Sequence, residues 1–282
     1  MSEDRNDNDR PLSVAERFAE LARLTPARIA LGRSGASLPT RELLRFGLAH
    51  AQARDAVHEP FRPAEIAAEI SALGLTSMMV ESAARSREDY LRRPDLGRSL
   101  SPESRALLEA ARGDYDLAVI IADGLSSTAI HQNAIPLVAA LLPLLQRQGL
   151  ELAPIAIAAQ ARVALGDEIG QHLGARMVLM LIGERPGLSS PDSLGAYLTF
   201  APRPGLTDAA RNCISNIRPG GLAFQPAAVK LAWLIEQALR RGLTGVELKD
   251  ESERAIEGRM TEQGDGTLGL AKPRPSKPRL SN

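Results

Sequence analysis

Short apolar runs recur along the second half of the chain, each bounded by polar residues and most followed by a helical pattern. The runs are Leu117–Ala122, Leu152–Ala158, Met177–Ile182 and Tyr197–Phe200. They are continuous rather than strictly alternating, as expected for strands covered on both faces. Between them the apolar spacing predicts helices near Asn133–Gln148 and Arg162–Leu173, closed by Gly149 and Gly174 as C-terminal caps. After the last run, Thr207–Ile214 reads as helical. A long helix follows over Pro226–Arg241, with Leu231, Leu234, Ile235, Ala238 and Leu239 as its core face and Gly242 just past its end. Strands alternating with helices predict an α/β fold with a doubly wound parallel sheet.

The first part of the chain reads differently. Residues 1–12 form a polar lead that is expected to be disordered. Residues 13–112 read as a mostly helical region, with helices over Val14–Leu24, Arg41–His58 and Ala64–Leu73. Gly32 and Gly35 flank Arg33 and Ser34; such a loop can grip a phosphate, but its spacing fits a plain inter-helix turn better. Asp89–Leu100, rich in arginine and broken by Pro94 and Gly97, reads as a loop on the surface or at a partner interface. Residues 113–250 hold the strand–helix alternation. Residues 251–282 lose periodicity and end in GLAKPRPSKPRLSN, a tail expected to be disordered.

Composition narrows the function. The chain balances 34 basic against 34 acidic residues, so nothing marks a nucleic-acid surface, which needs a basic excess. Cys213 is the single cysteine, which fits a reducing compartment. The polar, acidic N-terminus lacks the regions of a secretory signal. The longest apolar run, Ala134–Leu145, is too short to span a bilayer and contains Pro136 and Pro143. These features predict a cytoplasmic protein with no membrane partner. His50, His58, His131 and His172 show no metal-ligand spacing.

The candidate chemistry sits at strand ends. YDLAVIIADGLSSTAIHQNAIP at 115–136 reads as strand, polar loop, helix, and in open α/β sheets ligands bind beyond such strands. The loop offers Asp123, Gly124, Ser126, Ser127 and Thr128. It lacks G-x-G-x-x-G and no Walker string occurs, so a dinucleotide or P-loop site is excluded. Asp123 reads equally as a turn or capping residue. In a parallel sheet four segments converge: residues 123–127, 160–167, 183–187 and 201–212. Glu184, beside Gly183, would face the crevice, unless it pairs with Arg185. No G-x-S-x-G elbow and no acid–base–nucleophile set appears. The residues describe a binding edge rather than a reaction centre.

Four long strings then carry a resemblance. TPARIALGRSGASLPTRELL, DLAVIIADGLSSTAIHQNA, ALGDEIGQHLGARMVLMLIGERPGLSSPDSLGAYLTF and RNCISNIRPGGL closely resemble the small (light) subunit of ethanolamine ammonia-lyase, over about residues 12–250. The resemblance implies a Rossmann-like domain over 113–250 that holds adenosylcobalamin at the interface with a large TIM-barrel subunit. The assembly it implies is a carbon–nitrogen lyase that converts ethanolamine to acetaldehyde and ammonia by a radical route, in many bacteria inside a microcompartment. Carried over by motif, the cofactor contacts fall on Val163 in RVALGDE, Glu184 in IGERPG and Cys213 in RNCISN; Asp123 and Ser126 are added by position alone. The resemblance places no catalytic residue in this chain. The competing readings are a self-sufficient small-molecule enzyme and a non-catalytic binding or microcompartment scaffold protein. The missing fingerprint and acid–base set weigh against the first.

Overall fold

The computed structural model describes residues 14–25 and 27–253. The predicted lead 1–12 and residues 254–282 of the predicted tail lie outside the described residues. Six strands form one sheet: β1 (Ser77–Glu81), β2 (Leu117–Ala122), β3 (Ile155–Ala159), β4 (Met177–Gly183), β5 (Leu194–Phe200) and β6 (Arg211–Ile217). Their order is β1-β3-β2-β4-β5-β6. The helices are α1 (Val14–Arg23), α2 (Thr40–His58), α3 (Pro63–Ala72), α4 (Arg87–Arg92), α5 (Pro102–Ala110), α6 (Ser127–Arg147), α7 (Leu165–Leu173) and α8 (Phe224–Arg241).

All six residues of β2 are buried, because the sheet is covered on both sides. Val119, Ile121, Leu179 and Leu181 face a layer containing Ile66 of α3, Leu137 and Leu141 of α6, and Leu231 and Ile235 of α8. Ala118, Ile120, Val178 and Met180 face Leu108 of α5 and Leu165, Ile169 and Leu173 of α7. Full burial of one such aliphatic side chain contributes about 1.5–3 kcal/mol. α6 is long and apolar enough to cross a membrane by length and composition. Here it is a core helix, with Ile130, Ala134, Leu137, Leu141 and Leu145 buried.

The sheet is mixed, which corrects the expectation of a Rossmann-like, doubly wound, mostly parallel one. β1, β3, β2 and β4 are parallel, but β5 runs antiparallel to β4 and β6 antiparallel to β5. Parallel pairing needs a crossover of a dozen residues or more, usually helical. Only the irregular loop 184–193 joins β4 to β5, so the chain must fold straight back.

Three further expectations change. The predicted helix over Thr207–Ile214 is a short 3-10 turn, Asp208–Ala210, followed by β6. Its polar, irregular pattern gave no clear period; pairing with β5 decides its state. β1 arises from a stretch read as mostly helical and forms the sheet's edge beside β3. α6 starts at Ser127 rather than near Asn133, because the Ser126 side chain accepts from the Ala129 N–H and caps it. The Gly32–Gly35 segment is an exposed tight turn, closed by Ser34 and Ser37 backbone bonds of 2.8 and 3.1 Å.

Candidate functional site

β2 leads into α6 on one face of the sheet, and neighbouring β3 leads into α7 on the other. Chains that part in this way leave a crevice at the carboxyl ends of the strands. A cleft of about 390 Å³ lies there, lined by Gly124 and Leu125 after β2, Arg162 and Val163 after β3, and Ile182 to Arg185 at the end of β4. Tyr197 of β5 and Tyr90 of α4 complete it. Two glycines allow the walls to meet. A Cβ on Gly183 would run into the Ser126 and Asp123 carbonyl oxygens, and one on Gly124 (φ +57°) into the Gly183 carbonyl oxygen. The Leu125 N–H instead donates to Gly183 O at 2.9 Å.

Glu184 lines this cleft. Its Oε2 accepts from the Ser193 hydroxyl and from the Asn216 N–H. Its own N–H donates to Ser193 O at 3.0 Å. Oε1 lies over Gly195, where a Cβ would be 3.0 Å away. Among the described residues Oε1 accepts no hydrogen bond, and Glu184 has no ion pair with Arg185 or any other cation. One carboxylate oxygen fixes the side chain and the other remains available to a ligand. Its charge also reaches Tyr197 and Cys213, which face each other across β5 and β6. Burial, then the neighbouring thiol and Glu184, push the Tyr197 phenol up; partial burial and Glu184 raise the Cys213 thiol.

Asp123 ends β2 but points inward. It is 1% exposed, and Oδ1 accepts from the N–H groups of Gly124 (2.9 Å) and Ala161 (3.0 Å). Oδ2 accepts from Arg87 Nη1 at 3.2 Å. Burial pushes its pKa up to about 6 despite these donors. The carboxylate thus ties the β2 and β3 loops together beneath the cleft. Arg87 extends the tie to Val57 O of α2 and Gly124 O, both at 2.8 Å. Ser126 is equally buried; besides capping α6, it donates to Pro191 O at 2.8 Å. Together with Asn133, which donates to Asp192 O at 2.7 Å, it anchors the loop that carries Glu184.

Of the sequence-predicted residues, then, Val163 and Glu184 line the cleft, and Cys213 lies exposed on β6 next to the Tyr197 wall. Asp123 and Ser126 sit behind it with their side chains engaged. Sequence reasoning missed Tyr90, Arg162, Tyr197 and Ser193. Tyr90 and Gly97 fall in the stretch read as a surface or interface loop, yet both are buried against the β3 loop. A tyrosine set among arginines, in REDYLRRPDLGR, was the available signal. Among the described residues no group of three or more His, Cys, Asp and Glu could hold a metal ion.

The family model described as ethanolamine ammonia-lyase light chain (EutC) matches residues 15–249. A protein of Azotobacter vinelandii named ethanolamine ammonia-lyase small subunit is 55% identical over 267 residues, 93% of this chain and 99% of that relative. One of the same name from Rhodopseudomonas palustris is 58% identical over 244 residues, 86% and 94% of the two chains. A third, from Ralstonia nicotianae, is 55% identical over 258 residues. The match spans both the helical N-terminal elements and every strand that shapes the cleft, and on it the chain belongs to the light-chain family of ethanolamine ammonia-lyase, the small subunits of a lyase that acts with a large one.

Proposed function

We propose that this chain holds adenosylcobalamin against the large subunit of ethanolamine ammonia-lyase, with the strand-end cleft as its part of the cofactor site. The observation that carries this reading is Glu184, a cleft-lining carboxylate with one oxygen fixed from within and the other without a hydrogen-bond donor among the described residues. The residues fit the group. A corrin carries neutral amides around its rim, and a free carboxylate oxygen is a strong acceptor for them. Val163 supplies a small apolar contact, and Tyr197 and Cys213 extend a flat wall on the sheet. A cleft of about 390 Å³ suits a drug-sized ligand and covers only one edge of a corrin. A second protein surface must enclose the rest, which is the place of the large subunit. When bound, the cofactor supplies the radical chemistry that takes ethanolamine to acetaldehyde and ammonia. This chain binds, orients and shields; it needs no acid–base set. The enzyme would act in the cytoplasm, and inside a microcompartment in hosts that build one.

The test is Glu184→Gln in the assembled complex. Ser193 and Asn216 both donate inward, so the single amide oxygen must turn toward them. The amide nitrogen then faces the cleft and replaces an acceptor with a donor. A hydrogen bond to a charged group is worth about 1.5–3 kcal/mol, so cofactor affinity should fall by about tenfold or more. Melting temperature should change little, because both inward bonds survive. Unchanged affinity would remove Glu184 from the site.

A further inference from the structure

We propose that Arg162 is an anion anchor in this cleft and that its ligand is the phosphodiester of the cofactor's nucleotide loop. The assignment rests on the cobalamin reading above and deepens it.

Among the described residues, the arginines that are not exposed are Arg87, Arg105, Arg162, Arg176, Arg211 and Arg218. Five of these face a carboxylate: Asp123, Glu168, Asp116, Asp167 and Asp192 respectively, in the order Arg87, Arg105, Arg176, Arg211, Arg218. Arg162 faces none. Its Nη2 donates to Tyr90 O at 3.1 Å. Its Nε is buried without an acceptor, and its Nη1 has no partner among the described residues. Withdrawing a cation from water without a counter-charge is costly, and such a group in a cleft marks a place where an anion is expected.

The posture of Arg162 is built rather than incidental. Its guanidinium lies over the Tyr90 ring, 4.2 Å from the centroid, which holds it by cation–π attraction. The Tyr90 hydroxyl donates to Ala161 O at 3.1 Å and so fixes the ring to the same loop. Gly97 leaves the room: a Cβ there would lie 2.9 Å from Arg162 Cγ and 3.0 Å from Tyr90 Cδ2. The Arg162 N–H closes the arrangement on Gly97 O at 2.8 Å. α7 starts on this same wall, with the positive end of its dipole there. Arg185, exposed, adds a second cation to the lining. Glu184 supplies the only carboxylate among the lining residues. A ligand suited to this cleft bears one anion and, apart from it, neutral hydrogen-bond donors. The phosphodiester is the one permanent anion on a corrinoid whose other rim groups are amides.

The experiment titrates the assembled complex with adenosylcobalamin and with adenosylcobinamide, which keeps the corrin but lacks the phosphodiester and nucleotide. Affinity is read from the corrin absorbance change, without turnover. Arg162→Gln should weaken adenosylcobalamin binding by about tenfold or more and leave adenosylcobinamide within about twofold. Arg162→Lys should recover part of the loss, since it keeps the charge but not the planar stack. An equal loss for both ligands, or no loss for either, overturns the anchor: the first would make Arg162 a wall support, the second a bystander. If the wild-type complex binds neither corrinoid, the cobalamin reading itself falls, and the anchor with it. The melting temperature of each variant complex shows whether folding is intact.

Discussion

The sheet around the cleft and the N-terminal stretch from α1 to α2 treat their apolar residues in opposite ways. Around the cleft, β2, β3 and β4 bury nearly every side chain, and their loops are cross-tied by Asp123, Arg87 and Ser126. In α2, only Glu42, Ala49 and Ala56 of 19 residues are buried. Leu43, Leu44, Phe46 and Leu48 are exposed, as are Phe18, Leu21 and Leu24 before them. Exposed apolar patches on a protein surface are the usual places of interaction with a partner. The contrast separates a frame that stabilises itself from a region whose apolar face has no cover among the described residues.

The frame is easiest to break at its buried ion pair. Arg211 of β6 grips Asp167 of α7 with two bonds, 2.5 and 2.7 Å, and both side chains are almost fully buried. Asp167→Asn leaves the guanidinium with Thr199 Oγ1, Leu206 O and, as its one remaining counter-charge among the described residues, the fully exposed Asp208 carboxylate 3.6 Å from Nε. Breaking one side of such a pair costs about 3–5 kcal/mol. Denaturant unfolding of the variant should show a loss of this order; a loss under about 1 kcal/mol would mean that water reaches the pair.

Asp123 sharpens the comparison through pH. Its pKa is raised from 3.8 to about 6 by burial, so the folded chain binds this proton more tightly than the unfolded chain. The associated stability is fully present below the ordinary value and is lost as pH rises through about 6. A tenfold change in proton affinity is about 1.4 kcal/mol, so the loss amounts to about 3 kcal/mol. The stability of the wild type relative to Asp123→Asn should fall by that order from below pH 4 to above pH 7. A flat difference would show that Asp123 titrates at its ordinary value and that the tie beneath the cleft is wetter than the geometry implies.

The smallest effect on stability belongs to the N-terminal side. Leu44 and Leu48 lie one turn apart on the exposed face of α2. Replacing both with Ser should change the stability of the chain alone by no more than about 0.5 kcal/mol each, as for surface positions in general. Co-purification with the large subunit should weaken if this face is a subunit contact. Undiminished assembly would assign the face to something else.

Much of the frame was legible. β2 and β4 announced themselves as unbroken apolar runs, and α8 by its core stripe and the left-handed Gly242 after it. Of the site, Glu184 could be placed because it follows a strand directly, whereas Val163, four residues past the end of β3, came from the shared RVALGDE string. The functional identity came from the strings shared with a family, not from periodicity. The antiparallel return of β5 was readable in principle, since no helix separates it from β4.

What the sequence determined by itself was local: the period of β2, β3, β4 and the longer helices, the glycine stops, and the lack of a nucleotide fingerprint. These follow from forces that act within a few residues. The tertiary structure alone decided the rest. β6 is a strand because β5 lies beside it and Asp167 holds Arg211. Asp123 turned inward because the Ala161 N–H and Arg87 meet it there. Arg162 stacks on a tyrosine 72 positions earlier in the chain. Charge and hydrogen-bond partners brought together by folding carry no local signature, because burial gives them their strength and burial exists only once the sheet has closed.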